Sequence, residues 1–236
     1  MNTVIPTLKL HTNRRLFSFY IPLIILAIVA LVSVVISLLF WRSGSQPGSP
    51  DWIMGSQSNP GLLYSYAGFF GALGVTTVST TFPFALSLGA TRRGFTGGTF
   101  IWQILISAYL TVMLGVLMLL EVATGHWFSN FYIFDITILG AGNLAQLIPN
   151  VFLGTLTILA ISSFFGASWL RLGSRGPQLV ALGFVLIVLV ALIIFIPSAS
   201  EIFKAFQLWW LGALSLATIL LCSVGTWLFL RPVTVR

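Results

Sequence analysis

Apolar positions run through this chain in six long blocks: Phe19–Trp41, Gly61–Gly89, Thr99–Leu120, Leu147–Leu170, Leu179–Pro197 and Leu208–Leu230. Each reaches about the 20 residues that a helix needs to cross roughly 30 Å of hydrocarbon. None alternates apolar and polar residues as the strands of a membrane β-barrel do. Backbone polar groups in lipid must be paired within their own segment, so each block is predicted to be helical. The pattern predicts an all-α integral membrane protein, with residues 1–236 forming a single domain of six transmembrane helices.

Composition removes the alternatives. The chain is 58% hydrophobic and only 6% charged, against about 25% charged in an ordinary soluble domain. So few charges cannot cover a water-facing surface, and disorder needs low hydrophobicity. A soluble enzyme is therefore excluded. The first block resembles a signal peptide in its basic flank (Lys9, Arg14 and Arg15). Its apolar run is too long for one, and no small-residue cleavage pattern follows Trp41, so it reads as a retained span.

The net charge of +7 changes meaning once it is mapped onto the spans. Lys9, Arg14, Arg15, Arg92, Arg93, Arg171, Arg175, Arg231 and Arg236 fall on one side, whereas Arg42 and Lys204 fall on the other. All four acids (Asp51, Glu121, Asp135 and Glu201) lie on that second side. Positive residues mark the cytoplasmic loops, so the reading is a multi-pass protein of the cell membrane with both termini cytoplasmic. The lipid bilayer accounts for the basic balance. Nucleic acid is not an expected partner, since no basic surface on a soluble fold is predicted.

Catalytic chemistry finds little purchase. Lys9 precedes Leu10 and Lys204 precedes Ala205, so no G-x-x-x-x-G-K-[ST] phosphate loop exists. His11 and His126 stand far apart, and Cys222 is the one cysteine, so neither a metalloprotease motif nor a cysteine cage is present. The chain is read as no enzyme, with no catalytic or metal site. No span holds an ionisable residue near its centre, which argues against a proton relay. Glu121, at the outer end of the third span, is expected to reach water. The aromatic stretch 121–146 suits the membrane interface and has room for a short interfacial helix, whereas the Gly/Pro/Ser-rich segment 42–60 is expected to be irregular.

The second span is the most informative. Gly68, Gly71, Ala72 and Gly74 would allow another helix to approach closely. Thr76, Thr77, Ser79, Thr80 and Thr81 follow, then Pro83, which removes the amide that would bond the Ser79 carbonyl and so bends the helix. Two readings of the hydroxyls stand side by side. They repair the broken backbone, or Thr76, Thr80 and Ser87, flanking Pro83 on one face, line a substrate pathway. The fifth span is almost purely aliphatic and is expected to face lipid or an apolar substrate.

The connection after the second span carries adjacent arginines and an aromatic that is expected to be exposed: Gly89-Ala90-Thr91-Arg92-Arg93-Gly94-Phe95. Such a pair can bond carboxylates on a partner. The stretch FPFALSLGATRRGFTGGTF, Phe82–Phe100, resembles the segment joining the second and third helices of type-2 ATP-binding-cassette (ABC) permeases. It is most similar to small six-helix half-permeases of actinobacterial type, in the core A-L-S-L-G-x-[TS]-R-R-x-F. The layout is similar too: an amphipathic N-terminal elbow helix over residues 6–19, six spans, and an arginine, Arg231, closing the last helix. The elbow would set Lys9, Arg14 and Arg15 at the head groups while Leu8, Leu16 and Phe17 dip into the bilayer.

The resemblance implies a type-2 ABC exporter-like fold in which the 89–98 loop is a coupling helix. Thr91, Arg92, Arg93, Gly94 and Phe95 would then contact a separate nucleotide-binding ATPase subunit. ATP and magnesium would belong to that partner, and this chain would bind no cofactor. A second permease copy or a sister permease would complete the pathway. The cargo implied is a hydrophobic or amphipathic molecule moved outward. Gate helices, which the family forms between the last two spans, would have to fit within residues 198–207. A membrane scaffold or sensor subunit without transport is the alternative.

Overall fold

The computed structural model describes residues 4–198 and 207–233, with Phe128, Ser129 and Ser198 described by their backbone alone. Glu201, Lys204, Arg236 and the core of the 198–207 connection lie outside the described residues. Among the described residues there is no strand. Among the described residues nine α-helices follow one another: α1 Val4–Asn13, α2 Ile21–Arg42, α3 Pro50–Gln57, α4 Gly61–Ser79, α5 Thr81–Ser87, α6 Arg92–Ala123, α7 Leu144–Leu172, α8 Arg175–Phe195 and α9 Trp209–Leu230. Six helical stretches are long and apolar enough to cross a membrane: α2 with the turn before it, α3 to α5 taken together, and α6 to α9. The chain is an all-helical, multi-pass membrane protein.

Local sequence sets the helix ends. Ser49 caps α3, its side chain accepting from the Trp52 N–H at 3.3 Å, with Pro50 at the first position and Asp51 in the first turn. Segment 42–60 is therefore not irregular throughout, as its Gly/Pro/Ser content suggests. The bend in the second span falls at Thr80, between α4 and α5, where Pro83 leaves the Ser79 carbonyl without its i+4 donor. The elbow separates into α1 and a π-helical turn, Leu16–Tyr20. Leu16 and Phe17 are exposed and Leu8 is partly buried, while Ser18 is buried and its hydroxyl donates to the His11 carbonyl at 3.2 Å.

The chain divides into two compact units. One comprises Met1–Lys9, Gly71–Ile101 and Thr157–Arg236, the other Leu10–Phe70 and Trp102–Leu156. In the first, α1 crosses the start of α6 so closely that a Cβ on Gly98 would lie 2.8 Å from the Thr7 Cβ. Ser163 of α7 donates to the Gly74 carbonyl of α4 at 3.4 Å. Of the small residues on the second span, Gly74 meets another helix, whereas Gly68 and Gly71 face open space. In α8, none of the apolar window is buried. An exposed, almost wholly aliphatic helix is what a face turned to lipid or to an apolar substrate calls for. In the second unit, the Tyr66 hydroxyl donates to the Pro22 carbonyl at 3.1 Å and Tyr109 to the Phe19 carbonyl at 3.2 Å. Each pins a polar tip where a span begins.

Candidate functional site

The tight connection between α5 and α6 is built by two opposed helix ends. Helix α5 closes with Gly89 at φ +82°, its N–H donating to the Leu86 carbonyl while the Ala90 N–H donates to Ala85. This paired closure uses a left-handed residue, which glycine adopts without a Cβ penalty. Helix α6 opens two residues later with Thr91 as its cap, the hydroxyl accepting from the Gly94 N–H at 3.1 Å. Arg92 and Arg93 therefore occupy the first turn of α6 rather than a loop. Two cations at the positive end of a helix dipole are unfavourable locally, so other interactions must hold them there.

For Arg92 that interaction is visible. It is half-buried, and its guanidinium donates to the carbonyl of Arg231 at the end of α9. A cation at a helix C-terminus satisfies a carbonyl that has no partner within the helix. At the same end of α9, Arg171 lies over the Phe229 ring at 5.0 Å and Arg231 over Trp227 at 5.7 Å. Thr91 and Arg93 are exposed. The sole acid in this unit's sequence is Glu201, so its described part carries arginines with no carboxylate.

Phe95 departs from the sequence expectation. It is fully buried rather than exposed, as is Gly94. The reason is periodicity: Phe95, Thr99, Trp102, Ile106 and Leu110 fall on one buried stripe of α6, so the helix presents its apolar face from its first turn. The five residues proposed from the resemblance thus divide into an exposed pair (Thr91 and Arg93), a tethered arginine (Arg92) and a buried base (Gly94 and Phe95).

The pathway residues Thr76, Thr80 and Ser87 are all exposed along one face of α4 and α5, with Pro83 partly buried beside them. Each hydroxyl also bonds its own backbone: Thr76 to Ala72 at 2.9 Å, Thr80 to Thr76 at 2.6 Å, and Ser87 to Phe84 at 2.7 Å. They complete the backbone around the bend and remain exposed, with Phe84 and Leu88 exposed beside them.

The second unit holds a polar assembly that the sequence did not announce. Glu121 is fully buried, not water-exposed, and its carboxylate accepts from the Ile133 and Phe134 N–H groups at 2.7 and 2.6 Å. His126 Nε2 and Asp135 Oδ2 are 3.1 Å apart, and Asp135 is buried. Burial, together with the nearby Asp135 and Glu121 carboxylates, holds the Tyr132 phenol above its usual range. Residues 121–146 form single turns at His126–Asn130 and Thr137–Leu139 instead of an interfacial α-helix. Gly125, His126 and Trp127 all have positive φ, which stops a right-handed helix from starting. Phe131 and Phe134 pack inward as the loop folds over Glu121, so they do not form an interfacial belt. Among the described residues no group of three histidine, cysteine or acidic side chains could hold a metal ion.

No family model, curated protein or solved structure matches this chain.

Proposed function

We propose that this chain is the permease subunit of an ABC transporter, exporting a hydrophobic or amphipathic molecule with energy from ATP hydrolysed on a separate subunit. The observation that carries the reading is the short α5–α6 turn. It offers Arg93 to a partner while Arg92 ties the same turn to the end of α9 through Arg231. A partner docked on Arg93 would move the bent second span and the last span together. The partner surface that fits is acidic, because the arginines have no carboxylate in the described part of their own unit. Phe95 enters this scheme as the packing that holds the turn rigid, not as a plug for a partner's pocket. In this reading both termini are cytoplasmic and the cargo passes the hydroxyl-bearing face of Thr76, Thr80 and Ser87, with a second permease chain opposite.

The test is affinity purification of the chain from its native membranes, followed by assay of magnesium-dependent ATP turnover in the purified material. A nucleotide-binding subunit should co-purify, and Arg93→Glu should remove it and lower turnover at least about ten-fold, the effect of one well-placed ion pair. Single cysteines at Thr76 and Thr80, with Cys222 replaced, should crosslink in a nucleotide-dependent way. Turnover and co-purification unaffected by Arg93→Glu would remove the docking assignment. Absence of any ATPase would favour a scaffold or sensor subunit.

A further inference from the structure

We propose that a cleft in the second unit, at the C-terminal end of the first span, binds a lipophilic organic cation. The cleft has a volume of about 720 Å³, within the range of pockets that hold drug-sized ligands. Ile36 and Phe40, on the last two turns of α2, form one wall. Asp51, Trp52 and Gly55 of α3 form another, and Phe131 closes the end.

Three features select the ligand class. Asp51 is the one charged side chain among the lining residues, so an anion meets repulsion with no lysine or arginine to offset it. Trp52 and Phe131, 5.4 Å apart and edge-on, join Phe40 among the lining residues, and aromatic rings attract cations. The apolar wall continues a span whose side chains meet hydrocarbon, so a lipophilic body can lie along Ile36 and Phe40 while its charge reaches Asp51. Asp51 also lies in the first turn of α3, where a carboxylate favours the helix dipole. That role alone would alter helix stability and leave binding untouched.

The test uses the full chain in nanodiscs of phosphatidylglycerol, with empty discs subtracted. Tetraphenylphosphonium and tetraphenylborate, ions of similar shape and opposite charge, are titrated by equilibrium dialysis. Saturable, protein-dependent binding of the phosphonium and none of the borate is expected. Asp51→Asn should weaken phosphonium binding about ten-fold. Gly55→Trp should abolish it with the melting temperature retained, because nothing lies within 4 Å of a Cβ built on Gly55. Equal binding of both ions, or binding unchanged in both variants, would overturn the proposal. Loss of phosphonium binding on adding phosphatidylcholine would also overturn it, assigning the cleft to a lipid headgroup. Neither ATP nor a partner enters this assay, so its failure would leave the permease reading standing, and the converse holds as well.

Discussion

Phe95 stands edge-on to Phe82, with ring centroids 5.1 Å apart at 73°, and both rings are fully buried. The pair locks the first turn of α6 to the start of α5 across the Gly89 closure. Edge-on rings add to the apolar contact they bury. Phe95→Ala should therefore cost about 3–5 kcal/mol of stability, as truncation of a buried aromatic does, with Phe95→Leu well below that. Thermal melting of the purified protein reads the difference. A Phe95→Ala protein that melts like wild type would mean the ring is not packed in this way.

The two arginines beside that pair should separate cleanly in mutagenesis. Arg93 is exposed and has no intramolecular partner among the described residues, so Arg93→Ala should change stability by no more than about 0.5 kcal/mol. Arg92 holds the Arg231 carbonyl, and Arg92→Ala should cost about 1 kcal/mol or more, in line with a lost charge-assisted hydrogen bond. Hydrogen exchange of the backbone around Leu230 should quicken in the Arg92 variant and stay unchanged in the Arg93 variant.

The spans were legible because lipid imposes a length and a composition that no other environment demands. Helices α6 and α7 extend their expected blocks at both ends, most clearly α6, which begins at Arg92 instead of Thr99. That extension is readable in retrospect from Phe95, Thr99, Trp102 and Ile106, whose three- and four-residue spacing continues the buried stripe below the hydrophobic block. Helix α3 was also readable, since Ser49-Pro50-Asp51 is a cap, a favoured first residue and an acid in the first turn. The site at Glu121 was not. Its partners are backbone amides 12 and 13 residues away in a loop without periodicity, and no residue type marks such a contact. Nor could the pattern decide between repair and pathway for the second-span hydroxyls, because a hydroxyl that bonds its own helix can still sit on an exposed face.

At that face, the hydroxyls of Thr76 and Thr80 bond carbonyls of their own helix and remain exposed. Replacing both with valine keeps the volume and frees carbonyls that the helix ladder already serves. The double variant should stay within about 0.5 kcal/mol of wild type in stability. If the face lines the pathway, stimulation of ATP turnover by transported compounds should change in the same protein. A variant with unaltered stimulation for every compound tested would remove these residues from the pathway.

Glu121 should be sensitive to the smallest possible change. Its two oxygens accept from two backbone N–H groups in a buried setting. Glu121→Gln sets an amide N–H₂ against one of those donors and leaves an amide unsatisfied, a cost of about 1–3 kcal/mol. The expected result is a lower melting temperature together with faster proteolysis in the 131–136 loop. Glu121→Asp should also be destabilised, because its shorter side chain cannot span the same pair of amides.

His11 supplies a pH dependence with a defined sign. It lies in α1, buried against Trp102 with ring centroids 5.2 Å apart, and burial, aided by the nearby Arg14 charge, lowers its pKa to about 4. An exposed histidine in the unfolded chain titrates near 6.5. Between these values the unfolded state binds the extra proton and the folded state does not, so stability falls as the pH drops from about 6.5 to about 4. Below about 4 both states are protonated and this contribution is flat. Melting curves from pH 7.5 to 4.5 should show the loss in wild type. In His11→Phe, which keeps a ring against Trp102 and carries no titratable group, the slope should be smaller over the same interval. Equal slopes in the two proteins would mean that His11 is not buried in its neutral form.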